Sequence, residues 1–150
     1  MKNLIIIIAL FSSINCFAQN SPSGIINTFF NKYENEGSNI ALDYLFSTNK
    51  WMGDSKTQID NIKLNLSGTL ELIGNYYGYE EIILSSIGND FKLYTFLVKY
   101  DRQPLRFSIL LYKPNDTWRL QNFSYDDNLD EELDEAAKAY RLEENIAGMR

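Results

Sequence analysis

The chain contains no histidine, and it contains a single cysteine, Cys16, among 150 residues. Histidine is the usual general base near neutral pH and the commonest metal ligand, so its absence removes both roles together. Cys16 lies in an N-terminal segment that we expect to be removed, and the rest of the chain then has no disulfide, thiol nucleophile or cysteine-bound metal. We therefore predict no catalytic residues, no metal site and no cofactor.

Basic residues are also scarce, because 14 Lys and Arg stand against 20 Asp and Glu, for a formal net charge of −6. The predicted leader carries one charged residue, Lys2, so its removal changes the net charge to −7. A domain of that charge repels phosphate backbones and anionic lipid surfaces. We expect no nucleic-acid partner.

Long apolar runs are limited to one, LIIIIALF at 4–11, which follows the basic Lys2 and is too short to span a bilayer comfortably. Small residues come next, as a signal peptidase requires. We predict a secretory signal peptide over residues 1–18, cleaved between Ala18 and Gln19. The mature chain would then have no transmembrane segment, and the protein would be secreted or periplasmic.

The leader has an alternative interpretation as a lipoprotein signal, in which Cys16 would carry the lipid. Asn15 stands where that pattern expects Gly or Ala, so the match is poor. Cleavage after residue 18 is therefore the favoured processing, and lipid anchoring through Cys16 stays open as the second one.

Helical spacing of apolar residues dominates the first half of the mature chain. It predicts helices over 21–37, 38–53 and about 55–75, with Gly37 and Gly53 ending the first two. The short segment at 76–81 (YYGYEE) is interpreted as a hinge after the third helix.

From Ile82 onward the apolar period changes from 3.6 residues to 2, which is typical of strands. Short turns separate the strands, so neighbours must be antiparallel and the sheet is a meander. The four predicted strands cover residues 80–87, 91–100, 105–113 and 117–125.

The alternation of the last strand breaks in its middle. Trp118 and Leu120 occupy one face, but the next apolar residues, Phe123 and Tyr125, have the opposite parity. One extra residue at 121–122 would return them to the buried face, so we predict a β-bulge that bends the strand and curls the sheet. The alternative is that the strand ends at Leu120. With the bulge, the expected cross-strand pairs are Ile109 with Phe123 and Phe107 with Tyr125.

Helices followed by a bulged meander whose last strand reads WRLQNF (118–123) resemble the nuclear-transport-factor-2-like superfold over about residues 22–126. The resemblance implies a cystatin-like α+β cone, a cavity between sheet and helices, and often dimerisation across the convex sheet face. Enzymatic members place an Asp–His pair or several ionisable groups in the cavity, and this chain has no histidine. We predict an α+β fold with three N-terminal helices on a curved four-stranded antiparallel meander, forming a domain over 19–126.

The acidic segment DDNLDEELDE at 126–135 begins like a calcium loop. Glu131 stands where that loop needs Gly, and Ala137 stands where it needs the bidentate Glu. A capped helix explains the run better, with Asn128 as the cap and the carboxylates at the positive end of the helix dipole. We predict an acidic C-terminal helix and tail over 127–150.

Aromatic residues make up 14% of the chain, and tyrosine and tryptophan suit a ligand pocket because they offer both a stacking surface and a polar group. The alternative is that these side chains pack in the core and on the sheet. We predict a small hydrophobic ligand or a protein partner. The predicted binding residues are Trp51, Tyr76, Tyr79, Tyr94 and Trp118.

The convex side of the predicted sheet, here called the outer face, exposes aliphatic residues among polar ones. Such a patch needs a cover, which either the C-terminal helix or a second copy in a homodimer would supply. The aliphatic residues of the outer face are Ile83, Ile87, Leu93, Leu97 and Leu110.

These observations favour a secreted, non-catalytic binding or interaction domain. Two alternatives stay open. One is a hydrolase of the cell envelope that uses paired carboxylates, for which Glu34, Asp43 and Glu80 are examples of available side chains. The other is a structural envelope protein that is anchored by a lipid.

Overall fold

The structure is a computed structural model that describes the backbone of residues 21–147 and the side chains of residues 21–141. The predicted signal peptide, its cleavage site at Ala18 and Gln19, and Cys16 all lie outside the described residues. Within them, helices come first, a four-stranded antiparallel sheet follows, and one more helix ends the chain. This order confirms the predicted α+β class.

Four helical segments precede the sheet. Ser21 starts the first, because its side-chain oxygen accepts the backbone N–H of Gly24 at 3.0 Å while Pro22 takes the first helical position. Gly37, with a φ of 95°, ends this helix in a conformation that a Cβ would strain. The segments are α1 (Pro22–Glu36), α2 (Ser38–Ser47), a 3₁₀ helix η1 (Lys50–Ser55) and α3 (Lys56–Ile73).

The second helix is shorter than the predicted range of 38–53, because its C-terminal end is bonded to the sheet. The hydroxyl of Thr48 accepts the backbone N–H of Leu120 at 3.0 Å, and the amide of Asn49 donates to the Leu120 carbonyl at 2.7 Å. Asn49 also accepts the backbone N–H of Trp51 at 3.1 Å, which starts η1 as a separate turn. These bonds cover the outer edge of the last strand.

The sheet has the order β1-β2-β3-β4, with neighbours in sequence also neighbours in space. The first strand begins at Tyr76, so the predicted hinge at 76–81 is wrong: this segment pairs with the second strand, Tyr76 opposite Tyr100 and Tyr79 opposite Val98. A register shift separates these two pairs, next to Gly78 at a φ of 100°. The strands are β1 (Tyr76–Ile87), β2 (Phe91–Tyr100), β3 (Leu105–Tyr112) and β4 (Arg119–Asp126).

The β3–β4 register changes where the apolar parity of the last strand changes. Leu111 lies opposite Leu120, whereas Leu110 lies opposite Asn122, so one more residue is used on β4 than on β3. Beyond the shift, Phe123 lies opposite Ile109 and remains buried at 5% exposure. Apolar side chains on both sides of the shift therefore stay on the face that packs against the helices.

The core lies between that face of the sheet and helices α1 and α2. Phe29 of α1 is at its centre, with ring centroids 6.5 Å from Phe107 and 6.2 Å from Phe123. Completely buried aliphatic residues surround these rings. Those with 0% exposure are Ala41, Leu42, Leu45, Leu66, Val98, Ile109, Leu111 and Leu120.

The last helix, α4 (Leu129–Ala147), begins directly after β4 and starts with three acidic residues. Arg106 of β3 fixes its first turn, with a nitrogen 3.0 Å from Asp126 and another 2.7 Å from Glu132. Further along, Leu133 is 74% exposed and Tyr140 is 63% exposed. These two side chains of α4 are therefore not buried against the sheet.

None of the described helices has the length and apolar character that a membrane span needs. No cluster of three or more His, Cys, Asp or Glu residues in the described part of the chain is placed to hold a metal ion.

Candidate functional site

A cleft runs from the surface of the helical segments at 43–60 to β4. It consists of two adjoining hollows, of about 330 Å³ and about 170 Å³, that share the side chains of Phe46, Met52 and Ile59. Sites for small molecules have volumes of about 300–1,000 Å³ and are lined mainly by apolar groups with a few polar ones. The larger hollow has this size, and in both hollows the shared apolar side chains adjoin polar ones.

The course of α3 produces the helical wall of the cleft. Both buried residues of this helix, Leu66 and Ile73, belong to its second half. The first half contributes Ile59 and Ile62, which are only partly buried, and the exposed Gln58 to the wall. Because this first half is not packed fully onto the sheet, a space remains between it and β4.

The register shift on β4 produces the opposite wall. Successive side chains of a regular strand point to opposite faces, yet Gln121, Asn122 and Phe123 all line the smaller hollow. An extra residue in a strand redirects side chains in this way, and such irregularities are common beside functional sites. The shift therefore places two amide side chains next to an apolar ring.

Charged residues stand at the mouth of the cleft. Asp43 accepts a hydrogen bond from the ammonium group of Lys63 at 2.6 Å, and Asp60, Lys50 and Lys56 complete the charged lining of the larger hollow. Asn49 and Thr95 are the buried polar residues of the described chain, so no described Asp or Glu is buried.

Three of the five predicted binding residues lie on β1 and β2, in the half of the sheet that is farther from β4 and the cleft. Tyr79 stacks on Phe30 with ring centroids 3.5 Å apart, and Tyr94 lies parallel to Phe96 at 6.2 Å. Tyr76 lies 5.3 Å from Tyr33 of α1. Tyr76 and Tyr79 therefore pack against rings of α1, and Tyr94 packs beside Phe96 of its own strand.

The two predicted tryptophans lie apart from that cluster and from each other. Trp51 on η1 is 63% exposed, with the Lys50 ammonium 4.9 Å from its ring. Trp118 is buried just before β4, with the ammonium groups of Lys92 and Lys113 at 5.9 Å and 5.6 Å from its ring. The five residues do not converge on one cavity wall, and their role in binding stays a prediction.

Two hydroxyl groups are buried within the tyrosine cluster. The side chains of Tyr33 and Tyr100 share a hydrogen bond of 2.5 Å between their oxygens. Burial raises the pKa of both hydroxyl groups, and it raises the pKa of the neighbouring Tyr76 to about 12. The cluster therefore holds neutral tyrosines, and it closes the space between α1 and this half of the sheet.

One feature of the sequence marks the cleft, namely the change of apolar parity at 121–122. From the sequence alone, this change predicts a β-bulge and not a binding site. The adjacent amides Gln121 and Asn122 lie at the change of parity, where a strand redirects its side chains. Phe46, Met52 and Ile59 gave no signal of their own, because apolar residues at helical spacing predict burial in a core.

The fold and the cleft together define an α+β domain with a four-stranded antiparallel sheet and a hollow beside its last strand. Comparisons with protein-family models, with curated proteins and with solved structures find no match to this chain.

Proposed function

We propose that the protein is a non-catalytic binding domain and that its ligand site is the cleft between η1, α3 and β4. The observation that carries the proposal is the lining of the cleft. Its apolar side chains lie next to side-chain amides, which take no part in the hydrogen bonds between the strands. Phe46, Met52 and Phe123 offer the apolar surface, while Gln121 and Asn122 each offer a donor and an acceptor. A small ligand with an apolar body and a hydrogen-bonding edge fits this lining.

The nuclear-transport-factor-2-like cone remains part of the proposal. An α+β fold with helices against a four-stranded antiparallel sheet is compatible with it, and the β3–β4 register shift supports the curvature that a cone requires. The predicted leader over residues 1–18 supports the proposal of a secreted or periplasmic location, with lipid anchoring through Cys16 as the alternative.

The cleft proposal predicts where an apolar probe binds. Nile red, a neutral dye that fluoresces in apolar sites, is expected to bind the purified protein, and Met52→Glu is expected to weaken that binding by about tenfold or more. The physical reason is that a carboxylate at the floor of the cleft must lose its hydration when the dye enters. Fluorescence titration gives both affinities.

The matched control places the same charge on the outer face, where an exposed aliphatic patch could also take up the dye. Ile87→Glu is expected to leave the affinity for Nile red within about twofold of the original, since residue 87 does not line the cleft. Loss of binding in Ile87→Glu but not in Met52→Glu would contradict the proposal.

A second candidate function is self-association through the edge strand β1, whose exposed side chains Ile83 and Ile87 belong to the outer face. This edge strand is 12 residues long, and Ile83 and Ile87 are 50% and 76% exposed. Together with Leu93 and Leu110 of the neighbouring strands, Ile87 lines an apolar hollow of about 190 Å³. Apolar edges of this kind commonly pair with another chain.

The charges of β1 favour a second copy of the same chain as the occupant. The segment 82–87 carries no charge, and the acidic residues of β1, Glu80 and Glu81, both precede it. Two copies can therefore overlap antiparallel over 82–87, around a two-fold axis, without placing like charges opposite each other. Lys99 also holds Glu80 at 2.9 Å, away from the edge itself.

Sedimentation velocity tests this second candidate. The purified protein is expected to sediment as a dimer, and the double substitution Ile83→Lys with Ile87→Lys is expected to make it a monomer, because four ammonium groups would meet at the interface. Leu64→Lys, at an aliphatic residue of α3 that is 71% exposed, is the control and should remain dimeric. A monomer at all concentrations before any substitution would overturn the candidate.

A further inference from the structure

A second pocket, distinct in chemistry from the cleft, lies at the outer edge of β4. Its volume is about 310 Å³. Every residue that lines it is polar or positively charged, and none of them is acidic. They are Ser47, Thr48, Lys50, Asn115, Thr117 and Arg119.

The connection between α2 and β4 brings these residues together. Thr48 and Asn49 bond both backbone groups of Leu120, so the end of α2 is held against the start of the last strand. Lys50 follows this attachment on one side, and Arg119 precedes Leu120 on the other. The two positive charges therefore border one pocket by virtue of the fold, although they are far apart in the sequence.

Both cations lack a carboxylate partner among the described residues, unlike the neighbouring Lys113, whose ammonium lies 3.0 Å from Asp90. Arg119 instead rests on the ring of Tyr112, with its guanidinium carbon 5.7 Å from the centroid. Its Nε is buried and has no hydrogen-bond partner in the described structure. The ring contact keeps the guanidinium group beside Tyr112, and none of the carboxylates of the described residues pairs with it.

We propose that this pocket binds an oxyanion, namely the phosphate or carboxylate group of a small ligand. A guanidinium group presents parallel N–H donors that match such a group, and an ammonium beside it adds a second charge-assisted bond. The hydroxyl groups of Ser47 and Thr117 and the amide of Asn115 can supply neutral donors. The absence of acidic residues from the lining removes the repulsion that the rest of this acidic chain would impose.

The proposal is tested by titration of the ¹⁵N-labelled purified protein with sodium phosphate and, separately, with sodium acetate, each against sodium chloride at equal ionic strength. Backbone amide signals of residues around the pocket, such as Thr48 and Thr117, are expected to shift with saturation under at least one oxyanion. A response to phosphate alone assigns a phosphate group, and a response to acetate alone assigns a carboxylate. Equal shifts with chloride would overturn the proposal.

Two variants and one control locate the binding. Lys50→Gln and Arg119→Gln are each expected to weaken oxyanion binding by about tenfold, because each removes a charge-assisted bond. Lys113→Gln removes the same charge from a nearby residue that is already paired, and it is expected to leave the affinity unchanged within about twofold. Lys50 is exposed, so its substitution tests the site even where Arg119→Gln perturbs folding. Equal affinities in Lys50→Gln and Lys113→Gln would overturn the assignment.

Discussion

Replacing Phe123 with asparagine is expected to lower the free energy of unfolding by about 3 kcal/mol or more. Its ring is 5% exposed and packs among Phe29, Phe46 and Phe107, with centroids 6.2, 6.4 and 5.5 Å away. The substitution leaves a cavity between these rings and also buries an amide without a partner. Urea unfolding at neutral pH, followed by tryptophan fluorescence, measures the change.

The neighbouring Ser124 supplies the matched control. Its side chain is exposed, and it lies opposite Ser108 on the other face of the same strand pair. Ser124→Asn is therefore expected to change stability by less than about 0.5 kcal/mol. A change of only a few tenths of a kcal/mol in Phe123→Asn as well would mean that Phe123 lies outside the core and that the β3–β4 register is different.

Raising the pH above 10 is expected to destabilise the protein steeply, because of the buried hydroxyl pair of Tyr33 and Tyr100. Burial raises the pKa of both groups in the folded state, whereas the unfolded chain releases these protons near its ordinary pKa of about 10. Above that pH the folded state binds more protons than the unfolded state, so stability falls as pH rises. The expected loss is on the order of 1 kcal/mol per pH unit for each tyrosine once the pH exceeds the ordinary value of about 10.

The double variant Tyr33→Phe with Tyr100→Phe isolates this contribution. Removing both partners leaves no orphaned hydroxyl, so the cost at neutral pH is expected to be small. The stability of this variant should then fall less steeply with pH over the same range, because it lacks the two protons that the folded state otherwise retains. Urea unfolding at several values from pH 9 to 12 measures both slopes, and parallel slopes would show that the pair does not govern alkaline unfolding.

Strand positions were largely predictable because periodicity is a local property. Alternation over 91–100 predicted β2 with the bounds that the structure has, and the Asp101–Pro104 turn predicted its antiparallel partner. The start of β1 was missed because Tyr-Tyr-Gly-Tyr does not alternate. Pairing with β2, opposite Tyr100 and Val98, keeps this segment in the sheet despite two register shifts.

The helical bounds were less predictable where tertiary contacts intervene. Apolar spacing continued to Gly53, yet α2 ends at Ser47, because the side chains of Thr48 and Asn49 bond the backbone of Leu120 more than 70 residues away. Such a contact has no counterpart in the local pattern. The same bonds to Leu120 also bring Lys50 and Arg119 to one pocket, and no local sequence pattern predicts them.

By itself, the sequence determined the α+β class, the order of the elements and which face of each strand is apolar, including the change of parity around Gln121. These properties depend only on residues close together in the chain, where sterics and side-chain period act directly. Only the tertiary structure decided that the tyrosines of β1 and β2 pack against α1 while a cleft remains beside β4. A cavity is the space left after distant segments have packed, so its walls depend on how α2, α3 and β4 meet rather than on any one of their patterns.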